Sequence, residues 1–336
     1  MISTVVNPVK ELVKNRQNII LQHRIDAVPF LFDQKSKNEP TEFRLFFRIS
    51  QNEYCYYLAV KNQEIISESI YRKAVTGKKS AMIFERDSDS IELGYSINKK
   101  SINTNVNPKM PYLSFLAINY DIETINEVMN WFENCIIRSY ANPVIERQIM
   151  LSGETSHKEQ FIKALNDMDI DVTDYRFDEE THQLYMKRTL GGTEYELSFS
   201  DESDGTKKLI SALPVILLAL REGRLIIVDE LDAKLHPKLL KYVISLFKNK
   251  DINKYGAQLL FTSHDMYTLK NTVFRRDKIW FAAENKEHES EIYSLHEIRG
   301  KDKNRIKLTA AYDKQYLEGR YGADPYLSNM LGGDFW

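Results

Sequence analysis

RLIIVDELDAKLHP, residues 224–237, is the stretch on which the fold turns. Leu225, Ile226, Ile227 and Val228 form an uninterrupted apolar run, and Asp229 and Glu230 follow it side by side. A short continuous run of branched residues reads as a strand covered on both faces, the habit of parallel sheets in α/β folds. Such sheets bind ligands beyond the carboxyl ends of their strands, where this acid pair falls. Nucleotide hydrolysis asks for a carboxylate to hold the Mg²⁺ shell and a second group to orient or deprotonate the attacking water. A solvated strand end also favours acids, so the pair by itself leaves both readings open.

The flanking sequence extends the pattern. Pro237–Phe247 has the spacing of a helix, with Pro237 in its first turn. Gln258–Thr262 is a second apolar strand and ends in Ser263-His264-Asp265; Lys278–Ala283 is expected as a third. Glu291–Ile298 is expected to pair antiparallel with it at the sheet edge. Upstream, a helix over Lys207–Arg221 is opened by SFSDESDGT, residues 198–206, and Pro214 is expected to kink or split it. Free N–H groups and the positive dipole end make a helix start an anion site. There Ser203 adds a hydroxyl and Gly205 permits close approach of the backbone. His264 is suited to bond a terminal phosphate or the attacking water. Taken singly, Ser203 is an ordinary N-cap and a histidine at a strand end is ordinary structure; the signal is the order of all three elements between Ser203 and His264.

The first half reads differently. Pro8–Gln22 has helical spacing. TEFRLFFRIS, EYCYYLAVK, EIISESIYRK, SAMIFERD and IELGYSI, between Thr41 and Ile97, read as an antiparallel meander. Tyr112 to about Ile170 turns helical, most clearly over Asn126–Ile137 and His157–Met168, and Gly191-Gly192 centres a hairpin. The organisation expected is an antiparallel β subdomain with an N-terminal helix (1–111), a helical insertion with a hairpin (112–197) and an α/β core (198–336).

Bulk properties exclude several classes. Two cysteines, Cys55 and Cys135, rule out a disulfide framework and a cysteine-based zinc site, and fit a reducing cytoplasm. A net charge of −2 over 336 residues confines any nucleic-acid surface to a local patch. No apolar run is long enough for a transmembrane helix, and the N-terminus does not read as a secretion signal.

The ordered set resembles the ATP-binding-cassette ATPases. ESDGT (202–206) looks like a variant of their signature motif, LIIVDE (225–230) like Walker B, and His264 like the switch histidine; Asp232 falls in the place of the D-loop. ESDGTKKLI, DELDAKLHPKLL, TSHD and YLEGRYGADPYL (316–327) resemble the AAA15-type, OLD-like branch related to abortive-infection proteins and to RecF and SMC heads. The resemblance implies a P-loop NTPase fold using ATP and Mg²⁺. It gives Asp229 the metal shell, Glu230 the attacking water and His264 the γ-phosphate. Ser203 and Gly205 would contact the partner's ATP in a head-to-tail homodimer, with Asp232 coupling the two sites. It further implies work on DNA, or phage defence with a separate nuclease or toxin. Lys207, Lys208, Arg299, Lys301, Lys303, Arg305 and Lys307 are the candidate DNA contacts.

No GxxxxGK[ST] is present; Thr76-Gly77-Lys78-Lys79-Ser80 lacks the first glycine and is expected to be a turn between strands. The resemblance places the P-loop before Val5–Phe32, so the core is expected to lack its P-loop strand. A mis-drawn start, a truncated gene and a degenerate, non-hydrolysing scaffold stay open, and the retained acids favour the first two.

Overall fold

Alternation of aromatic and β-branched residues with polar ones builds the first sheet. In the computed structural model, which describes residues 27–98, 101–140, 142–151, 155–300 and 305–323, the meander comprises β1 (Thr41–Ile49), β2 (Asn52–Lys61), β3 (Glu64–Ala74), β4 (Ala81–Asp87) and β5 (Ile91–Leu93). They are antiparallel in the order β1-β2-β3-β4-β5. Asn62 and Gln63, with φ of 52° and 66°, make the left-handed two-residue turn between β2 and β3. Thr76–Ser80 is a turn, as expected: it joins β3 to β4, and the Gly77 N–H donates to the Ala74 carbonyl at 2.8 Å. The expected helix over Pro8–Gln22 lies outside the described residues.

Helices α1 (Tyr112–Asn119) and α2 (Glu123–Asn134) cover one face of this sheet. Tyr56, Leu58, Ile70 and Phe84 pack there with Leu113, Leu116, Val128 and Phe132, and Phe47 stacks on Trp131 with ring centres 4.1 Å apart. Pro111 gives α1 no side-chain cap. Glu68 of β3 replaces it: wholly buried, it accepts from the N–H groups of Tyr112 and Leu113 and from the Tyr56 hydroxyl, with Arg86 3.8 Å away. A carboxylate at a helix N-terminus satisfies orphan donors and complements the dipole.

The chain continues through β6 (Ile136–Ser139), α3 (Arg147–Leu151), α4 (Thr155–Asn166), β7 (Asp174–Phe177), β8 (Leu184–Leu190), β9 (Thr193–Ser198), α5 (Asp204–Glu222), β10 (Leu225–Asp229), α6 (Pro237–Lys248), β11 (Gln258–Phe261), β12 (Trp280–Glu284), β13 (Ser290–Ser294) and α7 (Tyr312–Leu317). Strands β7, β8 and β9 form an antiparallel sheet, and Gly191 and Gly192 (φ 58° and 82°) make its expected hairpin turn. Strands β11, β10 and β6 form a parallel sheet in that order.

Three expectations are corrected or narrowed. The helix read through Ile137 stops at Asn134, Cys135 is extended, and Ile136–Ser139 pairs with Ile226–Asp229 as a third parallel strand. Its two isoleucines continue a helical stripe as well as they fill a strand, so pairing with β10 decides. The Lys278–Ala283 run does not join the parallel sheet among the described residues: β12 and β13 pair antiparallel in a sheet of their own. Of the two outcomes expected of Pro214, a kink or a split, the split is excluded, since α5 runs unbroken from Asp204 to Glu222. Burial of the whole stretch from Lys208 to Ile216 outweighs the one missing backbone bond.

Contacts divide the chain into two compact units: residues 1–231 with Leu246–Thr262, and Asp232–Ser245 with residues 263–336. In the second, Ile279, Phe281, Leu295, Ile306, Tyr312 and Tyr321 form a core on which Tyr316 stacks. Among the described residues no helix is long and apolar enough to cross a membrane.

Gly223 ends α5 in the left-handed conformation (φ 67°), and a Cβ there would lie 2.5 Å from the Tyr255 carbonyl oxygen. Gly223→Ala should therefore cost more than about 1 kcal/mol. Glu68→Ala, which uncaps α1 and removes the carboxylate beside the buried Arg86, should cost about 3–5 kcal/mol. Urea unfolding followed by circular dichroism measures both, with the Glu68 change the larger.

Candidate functional site: the end of the parallel sheet

Strand β10 ends because its next residue turns. Asp229 is the last strand residue, in register with Ser139 of β6. Glu230 has a φ of +50°, a left-handed conformation that costs a non-glycine residue about 1–2 kcal/mol. Leu231 is buried again, while Glu230 is exposed. The turn thus sends one side chain inward and the neighbouring carboxylate to solvent.

Thr262, just past β11, holds that turn. Its N–H donates to the Val228 carbonyl at 3.1 Å and its carbonyl accepts from the Leu231 N–H at 3.1 Å. Its hydroxyl donates to Asp229 Oδ1 at 2.7 Å and accepts from the Glu230 N–H at 2.8 Å. From the other side the Lys208 ammonium donates to the Glu230 carbonyl at 2.7 Å. Lys208 is 0% exposed. It is therefore not available as a DNA contact, which corrects the expectation from sequence. Helical spacing already carried that signal, because Lys208, Ala212, Val215 and Ala219 fall on one buried face. Thr262 was quoted with the strand but given no role; its register beside Asp229 appears only in the folded sheet.

Helix α5 precedes β10 through a two-residue connection, so its start and the strand's end lie at the same end of the sheet. Nineteen helical residues span about 28 Å. Five strand residues span about 17 Å, and Lys208, five residues into the helix, reaches the Glu230 carbonyl at the strand's end. Ser203 caps this tip, accepting from the Thr206 N–H at 3.2 Å, with its hydroxyl 2.8 Å from that of Thr206. Ser203 is exposed, and Gly205 is half-buried in the first turn. The preceding Glu202 is buried with its carboxylate 2.7 Å from the Arg188 guanidinium of β8, which fixes the tip to the hairpin sheet.

Asp232 and His264 belong to the second unit. The His264 N–H donates to Asp232 Oδ2 at 3.1 Å, and the residue is exposed. Asp265 accepts from both the N–H and the hydroxyl of Thr268 at 2.7 Å and so shapes the loop after His264. Of the expected site residues, the structure joins Asp229 and Glu230 through Thr262, and Asp232 to His264. Of the remaining basic candidates, Arg299, Arg305 and Lys307 are exposed, Lys207 is half-buried, and Lys301 and Lys303 lie outside the described residues.

A family model described as "AAA domain, putative AbiEii toxin, Type IV TA system" matches residues 21–270. The chain belongs to this family. AAA domains of this type are ATP-binding P-loop ATPases related to RecF and SMC, and the mixed α/β content with antiparallel sheets fits that fold. The match to the AAA family takes in Ser203, Gly205, Asp229, Glu230, Asp232, Thr262 and His264. No curated protein matches the chain.

Asp229 offers hard carboxylate oxygens at the strand end, the kind of donor Mg²⁺ takes, since that ion uses one or two carboxylates and completes its shell with phosphate and water. Among the described residues no group of three or more His, Cys, Asp or Glu could hold a metal.

Arg188→Met would leave the buried Glu202 carboxylate without its cation. That change should cost about 3 kcal/mol or more. It should also raise hydrogen exchange at the first turn of α5, measured by mass spectrometry.

Proposed function

We propose that this chain binds and hydrolyses Mg²⁺–ATP as an ABC-type, OLD-like AAA ATPase head. The observation that carries the reading is the acid pair: Glu230 is held exposed on a fixed left-handed turn, directly after an Asp229 whose carboxylate is bonded to Thr262. A bound Mg²⁺ would neutralise phosphate charge. Asp229, its carboxylate aimed by the Thr262 hydroxyl, would hold that ion through its water shell. Glu230 polarises the attacking water and takes its proton. His264 bonds the terminal phosphate; its backbone N–H, tied to Asp232, fixes the loop that carries it.

Ser203 and Gly205, at the tip of α5, contact the γ-phosphate of an ATP held by a second copy, and Asp232 couples the two sites. Hydrolysis then removes the charge that the helix tip reads, and the head-to-tail dimer separates. The family description supports a setting in toxin–antitoxin or abortive-infection defence. Action through a separate nuclease or toxin, and contact with DNA, belong to the same proposal, as does a cytoplasmic location.

Glu230→Gln in the full chain should lower ATP turnover about 10²–10⁴-fold. ATP affinity should stay within about twofold, and the ATP-bound dimer should last longer on size-exclusion chromatography. Unchanged turnover removes Glu230 from the role. If the unaltered chain binds no ATP in calorimetric titration with Mg²⁺, the fold serves as a non-hydrolysing scaffold instead.

A further inference from the structure

We infer that Lys208 and Thr262 are positioning residues for Glu230, and that through Lys208 the tip of α5 sets the backbone of the acid pair; the catalytic half of this inference rests on the ATPase reading above. Both peptide groups of Glu230 are bonded to side chains instead of to a neighbouring strand: its N–H to the Thr262 hydroxyl and its carbonyl to the Lys208 ammonium. They grip a residue whose φ of +50° an L side chain rarely adopts. Released from either grip, the chain relaxes toward ordinary extended or helical backbone, and the Glu230 carboxylate swings away from Asp229. The Thr262 hydroxyl is shared between the Glu230 N–H and the Asp229 carboxylate, so the two acids are oriented by one atom.

Lys208 is costly in its place. A wholly buried ammonium loses its hydration and must recover it in hydrogen bonds, whereas an apolar side chain would join helix to strand as well. Its bond to the Glu230 carbonyl gives it a use that an apolar residue cannot supply. Lys208 also stands five residues into the helix capped by Ser203, within one rigid element. The 2.7 Å bond thus ties the first turns of this helix to the Glu230 carbonyl.

The experiment uses the full chain with two readouts. In steady-state ATP hydrolysis, Thr262→Val should lower kcat at least about tenfold with KM within about twofold, the pattern of a misplaced catalytic group. Thr262→Ser, which keeps the hydroxyl, should recover turnover to within about threefold of the unaltered chain. Lys208→Met should show the same loss of kcat as Thr262→Val; should it fail to fold, Lys208→Gln, whose shorter side chain keeps a donor but misplaces it, should lower kcat in its stead, and unchanged kcat overturns the Lys208 role. Equal turnover in the valine and serine variants overturns the positioning role.

The second readout needs no turnover. Glu230→Gly relieves the left-handed strain and should raise the melting temperature by about 2–4 °C. In the Thr262→Val background that gain should vanish, because the turn is no longer held. An equal gain in both backgrounds, or none in either, overturns the clamp. If the unaltered chain hydrolyses no ATP, the ATPase reading fails while the melting comparison still decides whether Thr262 holds the turn.

Discussion

The parallel register that sets Val228 opposite Phe261 is the constraint on which the acid pair depends. It brings Thr262 level with the end of β10, where one hydroxyl can reach both the Asp229 carboxylate and the Glu230 N–H. A slip of one residue would turn that side chain to the other face of the sheet. The burial of Ile226, Ile227 and Val228 is therefore more than a core requirement, because the pairing of this strand with β11 aims the carboxylates.

Buried charge recurs at the places where the chain changes direction. Glu68 closes the uncapped start of α1, Arg86 donates to the Met110 carbonyl just before it, and Lys208 closes the carbonyl of the turning Glu230. Each would be a liability as an isolated charge, and each is bonded to a backbone group that has no partner in a helix or strand. Glu202, on the approach to α5, is buried charge of another kind, paired with the Arg188 side chain. Buried charge thus frames both the antiparallel half of the larger unit and the tip and acids proposed to handle nucleotide.

Much of this was legible in the residues. Continuous apolar runs announced β10 and β11, alternation announced the five-stranded meander, and Gly191-Gly192 announced the hairpin of β8 and β9. Strand β6 was not legible, because Ile136 and Ile137 follow an amphipathic helix whose stripe they continue; only pairing with Ile226 and Ile227 distinguishes them. The antiparallel pairing of β12 with β13 was legible too, but not that the two stand in a sheet of their own. For the site, the acids and His264 stood out through their position after apolar strands. Lys208 was read as surface because adjacent lysines usually are, although its helical phase pointed inward. Thr262 carried no sequence signal of its own: its role exists only in the register across two strands. The second unit keeps Asp232 and His264 together as a local pair, which their separation of 32 residues did not reveal.

The account rests on nucleotide chemistry at the end of the parallel sheet. Equilibrium binding of radiolabelled ATP to the unaltered full chain, with and without Mg²⁺, followed by detection of released phosphate, tests it most directly. The account predicts saturable, Mg²⁺-dependent binding with slow release of phosphate. Saturable binding without any phosphate release would contradict the roles given to Asp229 and Glu230, and absence of binding would contradict the nucleotide site itself.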